Sequence, residues 1–222
     1  MKKPYFGSLH YHMRKLYNLP RNVSYEKKVA LLNDALKVTF VRHPFVRLVS
    51  TYQDKLIEQN FLNWRQLCLK FPSSQQILEN STIPNFDQFV SFVLSMHDEP
   101  QLNPHLEFYW RKCDMCNIHF DVIGKVETVH QDMQYIFSKV HDNNFPIMYL
   151  SVIVIIFRQI SLGLDLHMHQ SHAGSSESLA LQYFAKLNET RVKKLYQMYK
   201  LDFLMFGYDP NPYFEVAIAS GV

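Results

Sequence analysis

The stretch VTFVRHPFVRLVSTYQDKL, residues Val38–Leu56, predicts a strand that leads directly into a helix. Its first four residues, Val38–Val41, are β-branched or aromatic, as is typical of a buried strand. Pro44 suits the first turn of a helix, because the N–H that proline lacks would have no helical partner there. The apolar residues that follow recur at the spacing of one helix face, which we expect to be buried. These residues are Phe45, Leu48, Val49, Tyr52 and Leu56.

The other face of the predicted helix is polar and carries Arg47 and Ser50, which are neighbours because they lie three residues apart. Arg42 lies at the carboxyl end of the strand, where open α/β sheets place their ligands. With the free N–H groups and positive dipole of a helix N-terminus, these side chains predict an oxyanion pocket, with phosphate as the expected ligand. The alternative is that the arginines are surface charges beside an ordinary strand and helix.

The string VRHPFVRLVSTYQDK resembles the 3′-phosphate-binding motif of the Golgi carbohydrate sulfotransferases, which use 3′-phosphoadenylyl sulfate (PAPS) as sulfate donor. In that family the Arg that opens the motif and the Ser eight residues later hold the 3′-phosphate. The resemblance therefore implies Arg42 and Ser50 as donor-binding residues, with Arg47 adding positive charge. A second string, YKLDFLMFGY at residues 199–208, is similar to the C-terminal signature of the chondroitin 4-sulfotransferases.

The resemblance implies an α/β, P-loop-NTPase-like sulfotransferase fold with a parallel sheet flanked by helices. A chain of 222 residues with 47% hydrophobic content can bury the core of one such domain. We therefore expect residues 1–222 to form a single, partial sulfotransferase domain, in which residues 143–178 diverge from the family. Nothing before Val38 matches the family's 5′-phosphosulfate loop, which supplies a catalytic Lys, so we expect the first strand and this loop to be missing.

Three further segments have clear patterns. Asn85–Leu94 predicts an amphipathic helix that buries Phe86, Phe89, Val90 and Val93. A strand over His119–Ile123 is expected to end in a turn at Gly124, and a helix is expected over Glu127–Val140. Near the C-terminus, a helix and its tail are expected to dock through apolar residues onto the sheet. These residues are Leu195, Met198, Leu201, Phe203, Phe206 and Tyr208.

Two histidines are candidates for the acceptor side of a transfer reaction. His12 falls where the chondroitin 4-sulfotransferase branch carries a His, and the resemblance implies that it deprotonates the acceptor hydroxyl. A neutral imidazole suits that role near pH 7 because its unperturbed pKa lies close by. The alternative for His12 is a surface residue in a frayed terminus. His105 follows Asn103 as in the family's Asn-x-His-Trp segment, although Leu106 replaces the Trp, and it is the second, weaker candidate.

Cysteines and histidines also raise the question of a metal. Cys113, Cys116 and His119 give half of a zinc site, but no clearly spaced second pair completes four ligands. A local disulfide or two packed thiols is the preferred interpretation. A second cluster, for which we favour an exposed loop, comprises His167, His169 and His172. We therefore expect no metal.

The implied reaction transfers sulfate from PAPS to a sugar hydroxyl, and we expect the 4-OH of N-acetylgalactosamine in chondroitin or dermatan. Two alternatives remain: a truncated, inactive relative that binds only nucleotide or glycan, and a zinc-stabilised interaction domain. The expected partner is a glycosaminoglycan or glycoprotein glycan. The net charge of +3 is compatible with an anionic partner, but no dense Lys/Arg run or reader motif indicates nucleic acid.

The resemblance also implies a location on the lumenal side of the Golgi membrane. Three N-x-S/T sequons, at Asn22, Asn80 and Asn188, would suit a lumenal glycoprotein. The opening residues MKKPYFGSLHYH contain no apolar signal or anchor segment. The apolar run Ile147–Phe157, at 11 residues, is too short to span a bilayer as a helix. We therefore expect membrane attachment only through an anchor missing from this chain.

Overall fold

The structure is a computed structural model that describes residues 24, 26–27, 30, 36–58, 83–97, 102–103, 105–142 and 173–219. The predictions for His12, for residues 143–172 and for the three-histidine cluster lie outside these residues. The described part is α/β, with a two-stranded parallel sheet and helices. The helices are α1 (Pro44–Tyr52), α2 (Phe86–Ser95), α3 (Tyr109–Lys112), α4 (Val129–Asp142), α5 (Ala173–Phe184), α6 (Glu189–Phe206) and α7 (Asn211–Ala219).

The chain divides into two compact units, of which the first, Met1–Val41 and Cys113–Leu166, contains the sheet. Strands β1 (Val38–Val41) and β2 (Val122–Lys125) pair in parallel. All four residues of β1 are buried, which confirms the predicted strand. The core of this unit consists of two β1 side chains and Ile136 of α4. Helix α4 begins after a 3₁₀ turn, slightly later than its pattern indicated.

Gly124 lies within β2, opposite Phe40 of β1, and not in a turn as predicted. A Cβ atom at Gly124 would lie 2.5 Å from Cε1 of the Phe40 ring, so the glycine makes room for that ring. The predicted strand at His119–Ile123 was therefore placed too early. The error arose because a lone glycine in an apolar run can mark close packing as well as a turn.

The second unit, Arg42–Lys112 and His167–Val222, is helical in its described residues and holds a larger core. The predicted apolar face of α1 is buried throughout, and a π-helical turn at Gln53–Glu58 extends it to Leu56. Helix α2 also buries its four predicted residues. It begins with a capping box, in which Asn85 and Gln88 each bond the other's backbone N–H through their side chains.

Four of the predicted docking residues on α6, Leu195, Met198, Phe203 and Phe206, are buried, but the prediction for Leu201 is wrong because it is 51% exposed. Packing of these residues onto the sheet stays a prediction. Counting three residues on from buried Met198 gives Leu201, whereas the 3.6-residue period places Asp202 on the buried face. Gly207 ends the helix in the left-handed conformation with a φ of 61°, as is common at helix C-termini. None of the described helices combines the length and apolar character needed to cross a membrane.

Candidate functional site

The N-terminus of α1 is capped by the protein itself. His43 is the N-cap residue, and its Nδ1 accepts a hydrogen bond from the backbone N–H of Phe45 at 3.2 Å. Pro44, the next residue, has no N–H. Two donors that a helix N-terminus can offer to an anion are therefore missing or already used. An anion at this helix end depends more on side chains than the sequence indicated.

His43 is a buried residue that the sequence pattern did not single out. Its Nε2 lies 3.3 Å from the backbone oxygen of Asp209. Because Nδ1 accepts a bond, the two partners assign the proton to Nε2, which donates to that oxygen. The ring also stacks on Tyr213, with centroids 4.9 Å apart. The imidazole thus fixes the start of α1 against the segment that precedes α7.

Arg42 and Ser50, the predicted ligands of the 3′-phosphate, are both half-buried and partly accessible. They differ in this respect from Pro44–Val49, which are all buried. The first turn of α1 contains no acidic residue, so no carboxylate there offsets the positive end of the helix dipole. These features are compatible with an anion site, and the roles of both residues stay predictions.

Arg47, the third predicted donor-binding residue, faces the interior instead of lying on an exposed polar face. It is only 5% exposed. Its Nη2 donates to the backbone oxygen of Glu107 at 2.7 Å, and its Cζ lies 4.2 Å from the ring centroid of Tyr109. The periodicity of α1 could not show this burial, because the partners of Arg47 are distant in sequence. Its contact with a donor stays a prediction.

Asp202 of α6 is a fully buried carboxylate close to Arg47. Its two oxygens accept the backbone N–H groups of Tyr109, at 2.9 Å, and Trp110, at 3.1 Å. Burial raises the pKa of Asp202, while the charge of Arg47 and the two N–H groups oppose the rise without cancelling it. The sequence signal for this residue was a lone acid among apolar positions, which is unusual unless the acid has a partner.

His105, the second acceptor candidate, is half-buried in a turn. Its backbone N–H donates to Oδ1 of Asn103 at 2.9 Å, so the two residues taken from the family motif do meet. Burial lowers the pKa of His105 to about 4, and the positive charges of Lys55 and Lys112 add to the effect. The imidazole is therefore neutral at pH 7 but a weak base.

The predicted cysteine motif lies in the first unit, in the turn that precedes β2. No disulfide joins Cys113 and Cys116, and Sγ of Cys113 lies 3.7 Å from Oγ1 of Thr39. Of the two preferred interpretations, this arrangement corresponds to thiols and not to a disulfide. Among the residues that the structure describes, no group of three or more His, Cys, Asp or Glu is placed to hold a metal ion.

Comparison with known proteins gives several relatives with similar sequence identity to this chain. The chain is 25% identical over 194 residues to carbohydrate sulfotransferase 11 of Rattus norvegicus, covering 83% of this chain and 50% of the relative. It is 28% identical over 190 residues to carbohydrate sulfotransferase 12 of Xenopus laevis, covering 79% and 40%. It is 26% identical over 183 residues to carbohydrate sulfotransferase 8 of Homo sapiens, covering 80% and 40%.

The chain spans about half the length, or less, of the curated relatives it matches. No solved structure matches it. The profile described as the sulfotransferase family matches residues 8–209 and so includes both α1 and α6. Because this match covers most of the 222 residues, the chain belongs to the sulfotransferase family.

Proposed function

We propose that this chain is a carbohydrate O-sulfotransferase domain that uses PAPS as donor. The observation that carries the proposal is the pair Arg42 and Ser50, which are partly accessible on either side of the buried residues Pro44–Val49 in a chain of this family. The relatives named above are carbohydrate sulfotransferases, which supports a glycan as acceptor. The proposed fold is P-loop-NTPase-like, with β1 and β2 as neighbouring strands of its parallel sheet.

In the proposed donor site, the guanidinium of Arg42 and the hydroxyl of Ser50 bind the 3′-phosphate of PAPS. Such bonds to a charged phosphate are about twice as strong as bonds between neutral groups. The dipole of α1 favours an anion at this end of the helix. Arg47 adds positive charge from the buried side of α1. The capped N-terminus makes the two accessible side chains the main contacts.

The proposed reaction is an in-line displacement at sulfur. The oxygen of the acceptor hydroxyl forms a bond to sulfur, and the bond from sulfur to the bridging phosphate oxygen breaks, so that 3′,5′-ADP leaves. The hydroxyl proton passes to a base, for which we propose His12. With a pKa of about 4, His105 is better suited to accept a hydrogen bond from the acceptor than to remove its proton.

For the acceptor we propose the 4-OH of N-acetylgalactosamine in chondroitin or dermatan, with the protein on the lumenal side of the Golgi membrane. The support is the similarity of residues 199–208, at the end of α6, to the chondroitin 4-sulfotransferase signature. The competing function is binding of nucleotide or glycan without transfer. It shares the proposed donor site with the enzyme, so only a transfer assay separates the two functions.

The test is calorimetric binding of 3′,5′-ADP to the parent protein and to Arg42→Ala. Loss of a charge-assisted phosphate contact should cost about 1.5–3 kcal/mol, roughly a tenfold to hundredfold weaker affinity. Arg191→Ala is the control, because Arg191 forms a partly exposed ion pair with Asp87 at 3.0 Å, away from α1. Its affinity should match that of the parent.

Absence of binding by a folded parent, or equal affinities of the Arg42→Ala and Arg191→Ala variants, would contradict the proposed donor site. A transfer assay with labelled PAPS and desulfated chondroitin then separates the two functions. Incorporation of label supports the enzyme, whereas nucleotide binding without incorporation supports the binding-only alternative.

A further inference from the structure

Three consecutive backbone carbonyls, those of residues 105–107, accept hydrogen bonds from side chains of α1 and α6. The bonds are Thr51 Oγ1 to His105 at 3.4 Å, Tyr199 Oη to Leu106 at 2.9 Å and Arg47 Nη2 to Glu107 at 2.7 Å. Residues 105–108 lie in turns and irregular backbone, where the N–H groups of Leu106 and Glu107 both donate to the backbone oxygen of Asn103 at 2.8 Å. The side chains of α1 and α6 therefore bond to the carbonyl oxygens of the same turn and add to its own backbone bonds.

Asp202 extends this arrangement to the next part of the segment. It accepts the N–H groups of Tyr109 and Trp110, and so anchors the start of α3 to α6. The single hydroxyl proton of Thr51 is shared with the backbone oxygen of Arg47, which lies closer at 3.0 Å, so the bond to His105 is the weakest of the three. We term the four side chains that hold residues 105–110 the clamp. They are Arg47, Thr51, Tyr199 and Asp202.

Burying a guanidinium is energetically unfavourable. Desolvation of a buried charge costs several kcal/mol, and apolar residues of similar volume often give equal or greater stability. In return, the planar fork of Arg47 fixes a direction: it bonds to Glu107 while lying over the Tyr109 ring. Buried charged groups can specify one geometry among several. Here the specified geometry is that of the turn carrying His105.

We propose that Arg47 and Tyr199 are positioning residues that hold His105 in a fixed place relative to the donor-binding helix α1. The inference rests on the proposed function, since it concerns the acceptor contact of that reaction. Helix α1 then carries Ser50, which contacts the donor, and Arg47, which fixes the position of His105 on the acceptor side. Transfer between two bound substrates depends on such alignment, and an error of about 1 Å can reduce the rate by about a hundredfold.

The decisive variant is Tyr199→Phe, which removes one hydroxyl from the clamp and changes neither charge nor ring packing. The matched control is Tyr52→Phe, because the Tyr52 hydroxyl is also buried and donates to a backbone oxygen, that of Pro84, at 2.9 Å. Both variants thus lose the same kind of bond, but only Tyr199→Phe loses it at the His105 turn. Equal thermal unfolding of the two variants provides the check on folding.

The first measurement is the NMR titration of the His105 imidazole, assigned by its absence in His105→Gln. In the parent the pKa should be about 4 because the ring is partly desolvated near two lysines. In Tyr199→Phe the loosened turn should expose the ring and raise the pKa toward its ordinary value. In Tyr52→Phe the parent value should persist. Titration requires no enzymatic activity, so it tests the clamp even if the proposed function fails.

The second measurement separates donor from acceptor. Tyr199→Phe should raise the KM for desulfated chondroitin by about tenfold or lower the transfer rate by a similar factor, within the range expected for misalignment. Affinity for 3′,5′-ADP should remain within about twofold, a change of less than 0.5 kcal/mol. Arg47→Lys keeps the charge but loses the planar fork. It should change the KM for desulfated chondroitin or the transfer rate more strongly than Tyr199→Phe does.

The positioning role is overturned if Tyr199→Phe and Tyr52→Phe give the same His105 titration and the same KM. This result would leave the donor site intact, since that site is judged by 3′,5′-ADP binding. Conversely, a parent that binds no 3′,5′-ADP removes the proposed function, while the titration still decides whether the clamp holds His105. If Arg47→Lys does not fold, the conservative Tyr199→Phe comparison decides alone.

Discussion

The polar residues of the α1 region fall into two sets with opposite surroundings. Arg47 and Thr51 are buried and bond to backbone atoms of the protein. Arg42 and Ser50, from the same motif, are half-buried and partly accessible. The two arginines look alike in sequence, yet Arg47 is part of the interior and Arg42 is partly accessible. Burial, more than charge, therefore separates the two arginines, and only the accessible one keeps its place as the predicted main contact of a ligand.

The largest expected effect concerns Asp202, a buried residue of α6 that lies close to Arg47 of the buried set. Asp202→Asn removes the carboxylate that lies near Arg47 and accepts two backbone N–H groups. Loss of a hydrogen bond to a buried charged acceptor, which leaves a backbone N–H without its partner, should lower the free energy of unfolding by roughly 3 kcal/mol. Urea unfolding followed by circular dichroism measures the change. Asp87→Asn, which breaks a partly exposed pair with Arg191, should cost at most about 1 kcal/mol.

Similar losses for Asp202→Asn and Asp87→Asn would show that the buried set is not the stronger constraint on the fold.

The next effect concerns the accessible set. Ser50→Ala should weaken 3′,5′-ADP binding by about tenfold or more, because a hydrogen bond to a charged group contributes about 1.5–3 kcal/mol. The free energy of unfolding should change by less than about 0.5 kcal/mol, as is usual for a substitution away from the core. Calorimetry and urea unfolding of the same preparation give both numbers. An unchanged affinity for 3′,5′-ADP together with a lower free energy of unfolding would show that Ser50 has a structural role, like Arg47 and Thr51.

Thr51→Val is the matched change one residue further along the helix, and its pattern should be reversed. It removes the hydroxyl that bonds to the backbone oxygens of Arg47 and His105. We expect a loss of about 1 kcal/mol in the free energy of unfolding, the typical net contribution of such a bond. Affinity for 3′,5′-ADP should stay at the parent value. A marked loss of affinity for 3′,5′-ADP would show that Thr51, on the buried side of α1, also contributes to nucleotide binding.

The smallest expected effect is a pH dependence. The pKa of His105 is lowered to about 4 by burial and by Lys55 and Lys112, whereas the unfolded chain has an ordinary value near 6.5. Between these values the unfolded chain binds the extra proton. The contribution to stability is therefore present above pH 6.5 and is lost as the pH falls toward 4. Because the ring is half-buried, solvent screening keeps the loss small.

The measurement is the urea midpoint of the parent and of His105→Gln between pH 4 and 6.5. The parent midpoint should fall more steeply with acidification than that of the variant. Identical slopes would mean that the imidazole is not desolvated in the folded protein.

The sequence predicted those parts of the fold in which the spacing of the apolar residues matches a single strand or helix period. Strand β1, the buried face of α1 and helix α2 follow their patterns closely. Leu201 was misplaced because successive steps of three residues drift away from the helical period. Gly124 was misinterpreted because the Phe40 ring that occupies the space beside it comes from another strand. Packing between strands that are distant in sequence leaves no trace in local periodicity.

The site was predictable to a smaller extent. Resemblance indicated Arg42 and Ser50, which the structure shows to be half-buried, and their ligand roles stay predictions. The burial of Arg47 could not be anticipated, because its bond to Glu107 spans 60 positions. The clamp role of Asp202 depends on a bond across 93 positions. The cap at His43 was missed although its bond to the N–H of Phe45 is local, because histidine is not among the preferred N-cap residues.

The self-capped start of α1 has a practical consequence. Where backbone N–H groups hold a phosphate, no substitution can delete the contact without altering the main chain. At α1 the imidazole of His43 has already taken one such donor, and the proposed recognition falls to removable side chains. A single codon change at Arg42 should therefore weaken nucleotide binding by roughly the tenfold to hundredfold expected above without altering the main chain of α1. In cells such a variant would separate the effect of donor binding from the effect of protein amount.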